Sequence, residues 1–318
     1  MHALTVDLEE YFHVSNFEGR IARGRWDALP SRVQEPTARL LDLFDAHGAT
    51  ATFFALGWIA ERQPRLLREI AARGHEIACH GHAHELVYEL GPERFRADLR
   101  RARAAIEDAV GATPLGYRAP SYSITQRSLW ALPILAEEGF LYDSSIFPVR
   151  HPRYGIPGFP PGLVAIQLGG GTAILELPPT TASIGGMQLP VAGGAYLRLL
   201  PMSVFRWGFR RAARQRPPAV LIVHPWELDA DQPRLRVPWS VGVRHYRNLD
   251  RTEERLAELL RGMEFDSMLR VLERAAAAGG IPARPLGDLV AESESDSDAV
   301  AAAAPAPVAP MARAEEAR

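Results

Sequence analysis

The sequence predicts an α/β fold built on a parallel sheet or barrel, and three observations carry that prediction. Short apolar runs of strand length alternate with amphipathic segments of helix length along most of the chain. Several of those runs end in a polar residue capable of chemistry. The length, 318 residues, suits one α/β barrel domain of about 250 residues with additions.

The elements follow in order. Leu4-Thr5-Val6 is short and β-branched, a strand that opens the fold and runs into Asp7-Leu8-Glu9-Glu10. Residues 36–47 read as a helix: Pro36 sits at its start, Leu40, Leu43 and Phe44 share a face, and Gly48 stops it. Residues 50–56 read as a buried strand, and Pro64 opens a second helix that ends at Gly74. Ile77-Ala78-Cys79 is the next strand. Pro92 then begins a helix with Phe95, Leu99, Ile106 and Val110 at helical spacing, closed by Gly111. A further helix is expected near residues 127–138.

From about residue 148 to 218 prolines and glycines break the rhythm, which predicts irregular loops around short strands such as residues 173–177. This stretch reads as an elaboration of the barrel. Residues 219–223 form an apolar run ending at His224, and helices near 252–277 and 285–292 are expected to close a single domain over residues 1–292. Residues 293–318, Ser-Asp-rich and then Ala-Pro-rich, are expected to be a disordered tail, because they carry too little apolar surface to bury.

Bulk composition narrows the function. Hydrophobic residues make up 47% of the chain and charged ones 23%, as in soluble globular proteins. A formal charge of −2 gives no electrostatic footprint for nucleic acid or anionic lipid. Cys79 is the single cysteine, so no intrachain disulfide can form. No transmembrane segment and no signal peptide are visible, so a cytoplasmic protein is expected.

The densest chemistry lies in Cys79-His80-Gly81-His82-Ala83-His84, which holds three of the ten histidines. His80 and His84 are four apart, so a helical turn or tight loop can aim both imidazoles at one point, and neutral imidazole suits zinc, iron, cobalt or nickel. A metal site needs a third ligand. Asp7, His80, Arg118, Asp143 and His224 each follow a strand-like or apolar segment, where a parallel barrel gathers its active site.

In this order the set resembles the NodB-homology polysaccharide deacetylases, carbohydrate esterase family 4. The matching strings are Asp7-Leu8-Glu9-Glu10, His80-Gly81-His82-Ala83-His84, Arg118-Ala119-Pro120, Asp143-Ser144-Ser145 and Ile222-Val223-His224. The stretch from Gly116 to Ile124 and Val223-His224-Pro225-Trp226-Glu227 look like the subgroup that accompanies exosortase-linked exopolysaccharide clusters. The resemblance implies a distorted (β/α)7 barrel with a Pro/Gly-rich insertion, and metal-dependent removal of N-acetyl groups from a polysaccharide. Asp7 would be the general base and His224 the general acid. Arg118 would pair with Asp7, and Asp143 would orient His224. The implied cofactor is a divalent ion, zinc first, with cobalt or nickel as alternatives. The implied partner is an N-acetylated polysaccharide or a lipid-linked oligosaccharide at the inner membrane face, with no nucleic acid.

The chain departs from the family pattern where a second aspartate is expected, because Leu8 stands there. Strand alternation puts Glu9 on the face of Asp7, so Glu9 is the assigned third ligand and Glu10 the fallback. The tryptophan expected after Asp143-Ser144-Ser145 is also missing, and Tyr122 or Trp226 is expected to wall the substrate pocket. Plainer roles compete: Arg118 as a structural ion pair, Asp143 as a cap on its own turn, His82 as a solvent-exposed side chain, and Trp239 as core or partner surface. The altered first motif leaves room for an allantoinase-like hydrolase of another C–N bond. An inactive glycan-binding relative is disfavoured by the retained pair Asp7 and His224.

Overall fold

In the computed structural model, residues 1–17 and 20–289 are described. The tail expected from residue 293 lies outside them. Seven strands form a continuous parallel ladder: β1 (His2–Leu8), β2 (Thr52–Ala55), β3 (Glu76–Cys79), β4 (Gly116–Tyr117), β5 (Tyr142–Asp143), β7 (Thr172–Glu176) and β10 (Val220–Val223), in the spatial order β10-β1-β2-β3-β4-β5-β7. β6 (Val164–Gly169) adds antiparallel to β7, and β12 (Ala283–Pro285) pairs parallel with β6. β11 (Phe265–Asp266) pairs with the start of β1. The expected barrel is therefore present as a wound parallel sheet, but no ladder among the described residues joins β12 to β10.

Helices cover the outside because the sheet must bury both faces. They include α1 (Gln34–Ala46), α2 (Gly57–Arg62), α3 (Pro64–Ala72), α4 (Val87–Leu90), α5 (Pro92–Val110) and α6 (Ala131–Glu137). α5 shows how local sequence sets its ends. Pro92 occupies the first turn, where its missing N–H costs nothing, and Gly111 closes the helix at φ 73°, its N–H donating to the Glu107 carbonyl at 2.7 Å. Gly57–Arg62 is helical although no such helix was expected. The helix anticipated over 252–277 is two, α10 (Thr252–Gly262) and α11 (Met268–Ala278), because β11 intervenes.

The 148–218 stretch is more regular than its prolines and glycines suggest. β6 and β7 form a hairpin, and β8 (Thr181–Ile184) pairs with β9 (Met187–Pro190) across Gly185 and Gly186, both at positive φ as a tight hairpin turn requires. α7 (Ala195–Leu199) and α8 (Met202–Gln215) follow, and α9 (Trp239–Tyr246) lies beyond β10.

Strand alternation decides what reaches the interior. On β1, Leu4, Val6 and Leu8 enter the outer core with the helices, whereas Ala3 joins the inner cluster with Phe54, Ala78, Tyr142, Val220 and Ile222. Asp7 shares the parity of Ala3, His80 that of Ala78, and His224 that of Ile222, so three strand ends aim polar side chains at the axis. Gly116 faces inward where a Cβ would lie 1.9 Å from the Tyr142 ring, so that ring requires a glycine opposite it.

Candidate active site

The end of β1 supplies two buried carboxylates, Asp7 and Glu9, each 3% exposed. Asp7 Oδ1 accepts from Arg118 Nη1 at 2.6 Å, and its Oδ2 lies 3.7 Å from His224 Nε2. Arg118 is fully buried. It also donates to Thr5 Oγ1 at 2.9 Å, Ser144 Oγ at 3.0 Å and the Ser144 carbonyl at 3.2 Å, and its guanidinium lies over the Phe54 ring at 4.1 Å. Burial works against the guanidinium charge, but the Asp7 carboxylate outweighs it and the Arg118 pKa is raised.

Glu9 turns its Oε1 to both histidines, 3.0 Å from His80 Nε2 and 3.1 Å from His84 Nε2. His80 Nδ1 lies 2.7 Å from the Arg118 carbonyl. A carbonyl only accepts, so Nδ1 donates to it, and Nε2, the nitrogen left for a metal, is the one turned to Glu9 Oε1. Burial opposes the charge of Glu9, yet the His84 and His80 imidazoles hold its carboxyl well below the usual range. Ligand atoms of the three residues lie within 4.8 Å of one another. A tetrahedral zinc with bonds of about 2.0–2.1 Å separates its ligands by about 3.3 Å, so the cradle fits such an ion. Glu10 faces elsewhere: its carboxylate accepts from Ser31 Oγ and from the Arg32 N–H, and it is not part of the cradle. His82 also leaves the site. It is buried rather than exposed, with Nε2 2.9 Å from Glu61.

His224 is not oriented by Asp143. Its Nδ1 donates to Glu227 Oε2 at 3.0 Å, and the same oxygen accepts the His224 N–H at 3.0 Å. Glu227 Oε1 in turn accepts from Arg198 Nε at 2.7 Å, and both side chains are 1% exposed. Burial pushes His224 down, but Glu227, then Glu9 and Asp7, raise its pKa to about 9. Burial pushes Glu227 up, but Arg198 and His224 draw it down to about 2. Asp143 sits on the opposite face. Tyr142 points inward on β5, so Asp143 points out, where Ser145 Oγ donates to it and its strand partner on β7 is Glu176. Burial raises both acids, Asp143 to about 6 and Glu176 well above the usual range, as expected where two buried carboxyls share a proton.

Asp7, Glu9, His84, Tyr122, His224 and Trp226 line one cavity of about 180 Å³. Three of the four non-glycine residues at positive φ among the described residues, His84 at 50°, Ser121 at 53° and Tyr122 at 56°, line it. Strained backbone of this kind concentrates where side chains must be aimed. Glu227 and Arg198 went unnoticed in the sequence. The spacing His224-Pro225-Trp226-Glu227, a side-chain pair across the first turn of a 3-10 helix, was the available sign for Glu227. Arg198 had none.

Fold and site together define a barrel-type α/β protein with a carboxylate–imidazole pair beside a His-His-carboxylate cradle. Residues 24–135 match the family model described as polysaccharide deacetylase, and residues 144–273 match one described as a domain of unknown function, DUF3473. The match to a polysaccharide deacetylase domain of the NodB-homology type, carbohydrate esterase family 4, is carried by residues 24–135. A peptidoglycan deacetylase-like protein of Gibberella zeae is 34% identical over 110 residues, 34% of this chain and 32% of its own. A chitooligosaccharide deacetylase of Bradyrhizobium is 35% identical over 101 residues, 31% and 43% of the two chains. The matched segment spans about a third of the length of the first of these relatives and less than half of the second. Two solved structures share the fold. One is a Mycobacterium smegmatis protein assigned as a polysaccharide deacetylase (TM-score 0.58, 23% identity, 88% and 91% of the chains covered), and the other is an allantoinase (0.56, 17%, 86% and 88%).

Proposed function

We propose that this protein is a metal-dependent hydrolase that removes N-acetyl groups from amino sugars of a polysaccharide during exopolysaccharide assembly. Its substrate would be the N-acetylated polymer or a lipid-linked oligosaccharide at the cytoplasmic membrane face. The observation that carries the reading is the Glu9–His80–His84 cradle, whose Glu9 and His84 line one cavity together with Asp7 and His224. The strings from Gly116 to Ile124 and from Val223 to Glu227 support the exopolysaccharide context. Among the described residues no helix is long and apolar enough to cross a membrane.

Glu9, His80 and His84 would hold the divalent ion, with zinc the best match to one carboxylate and two imidazoles, and cobalt or nickel next. Bound there, the ion supplies a Lewis acid for the acetamide carbonyl and lowers the pKa of a water. Arg118 fixes Asp7 through Oδ1, which leaves Oδ2 to take a proton from the attacking water. His224, protonated at neutral pH and steered by Glu227, gives its proton to the departing amine nitrogen as the C–N bond breaks. Acetate and the free amino sugar leave. Tyr122 and Trp226 would flank the acetyl group and the sugar.

The test is acetate release from N-acetylated oligosaccharides. Asp7→Asn and His224→Ala should each lose about 10²–10⁴-fold in kcat, and a chelator should abolish turnover until zinc is restored. Release that survives both substitutions would sink the mechanism. Turnover indifferent to chelator would remove the metal and leave the hydrolase.

A further inference from the structure

Exposed apolar side chains are concentrated in one stretch of the chain. Among the described residues eight large hydrophobic side chains are exposed, and five of them, Met187, Leu189, Leu199, Val204 and Trp207, fall between residues 187 and 207. Charge is uneven in the same stretch. Between Glu176 and Glu227 the chain carries six arginines and no acidic residue, a local excess that the formal charge of −2 conceals. Arg198 is buried against Glu227, and Arg206 is paired with Glu258. The other four, Arg210, Arg211, Arg214 and Arg216, are exposed and have no carboxylate partner among the described residues.

α8 gathers both features on one face. Phe205, Phe209, Ala212 and Ala213 are buried, so helical periodicity turns Val204, Trp207, Arg210, Arg211 and Arg214 outward together. The β8–β9 hairpin packs beside them. Arg211 donates to the Ser183 carbonyl at 3.1 Å, its guanidinium lies 5.8 Å from the Trp207 ring centroid, and a Cβ on Gly208 would come within 2.9 Å of Val191. Met187 and Leu189 of β9 therefore border the exposed face of the helix. The same segment reaches the cavity. Residues 192–196 line it, and Leu189 and Leu199 stand three residues to either side, within about 10 Å of chain.

A soluble polyanion would engage the arginines alone and leave the apolar residues without a role. A second copy of this chain, joined by a two-fold axis, would bring the unpaired arginines against themselves. Cationic side chains bordered by exposed Trp, Leu, Met and Val match a surface that is anionic outside and apolar beneath. We propose that α8 and the β8–β9 hairpin form a docking face for an anionic lipid bilayer. The arginines meet the headgroups, and Trp207, Val204, Met187 and Leu189 enter the interfacial layer. The proposal does not rest on the deacetylase reading, because the face lies outside the cavity and its test reads binding, not turnover.

Vesicle flotation of the full chain tests it, with phosphatidylcholine vesicles and with vesicles in which about a third of the lipid is phosphatidylglycerol. At low salt the protein should bind the anionic vesicles at least about tenfold more tightly than the neutral ones, and high salt should remove most of that advantage. Each arginine at such a surface contributes about fivefold, so Arg210→Gln/Arg214→Gln/Arg216→Gln should weaken binding at least about tenfold, whereas the corresponding lysine triple should keep most of it. Arg211 is spared because it holds the hairpin. Val204→Ser/Trp207→Ser should also weaken vesicle binding, by about fivefold or more. Anionic vesicles left unbound, neutral vesicles bound equally well, or binding that survives the glutamine triple would overturn the docking face. Vesicle binding unaffected by Val204→Ser/Trp207→Ser and matched by dextran sulfate would give the arginines to a soluble polyanion and overturn it as well. A dimer in sedimentation that Val204→Ser/Trp207→Ser dissociates would give the face to a second copy instead.

Discussion

His224 lies between two carboxylates that treat its two nitrogens differently. Glu227 accepts a hydrogen bond from Nδ1 at 3.0 Å, while Asp7 stands 3.7 Å from Nε2, the nitrogen that faces the cavity. An acid of pKa about 9 is protonated at neutral pH, so activity that depends on it should fall as pH rises through about 9. Glu227→Gln removes the largest raising cause and leaves burial, which lowers the imidazole pKa. The alkaline limb of the kcat profile should therefore move down by about two pH units or more. A limb left where the wild type has it would show that Glu227 does not set the acid. At this scale the sequence was informative where parity could be counted. Asp7 and Glu9 fall on one side of an extended strand, and the structure turns Glu9, not Glu10, to the histidines. The same count would have excluded Asp143 had it been known that Tyr142 points inward, and nothing in a two-residue strand revealed that.

α7 is only five residues long and cannot hold its place by its own hydrogen bonds. Arg198 fixes it by donating to the carbonyls of Arg244, His245 and Arg247 at the C-terminal end of α9, and to Glu227 beyond β10. The carbonyls at that helix end lack partners within the helix, so a buried guanidinium there satisfies three acceptors at once. Arg198→Met keeps much of the volume but strands the Glu227 carboxylate and those carbonyls. Removing one partner of a buried pair costs about 3–5 kcal/mol, which urea unfolding should register as a lower midpoint. An unchanged midpoint would mean that α7 is held by packing alone. Single elements such as α5 were legible because Pro92, Gly111 and the apolar stripe all agree. The 148–218 region was legible only in part: the strand expected over 173–177 is β7, but proline and glycine mark both irregular loops and tight hairpins, and pairing across β6–β7 and β8–β9 depends on contacts that local composition does not encode.

At the scale of the molecule, the sheet order brings together residues that lie far apart in sequence. β10, β1, β2 and β3 are consecutive neighbours, so position 224 comes beside position 7, and the ends of β1 and β3 meet across β2. The cradle draws on the β1 end through Glu9 and on the β3 end through His80 and His84, so an ion held there would cross-link two strands that share no ladder. The unfolded chain has no such preformed site, and binding therefore adds directly to folding stability. Free zinc at about 100 times its dissociation constant should contribute about 2.7 kcal/mol. For a domain of this size that corresponds to a rise in Tm of roughly 4–5 °C. Differential scanning fluorimetry of chelated protein, with and without zinc, reads the shift independently of any activity. Glu9→Gln should lose most of the rise. Glu10→Gln, whose carboxylate is committed to Ser31 and Arg32, should start from a lower Tm and keep it. A full zinc shift in Glu9→Gln would take the third ligand away from position 9, and with it the link between β1 and β3.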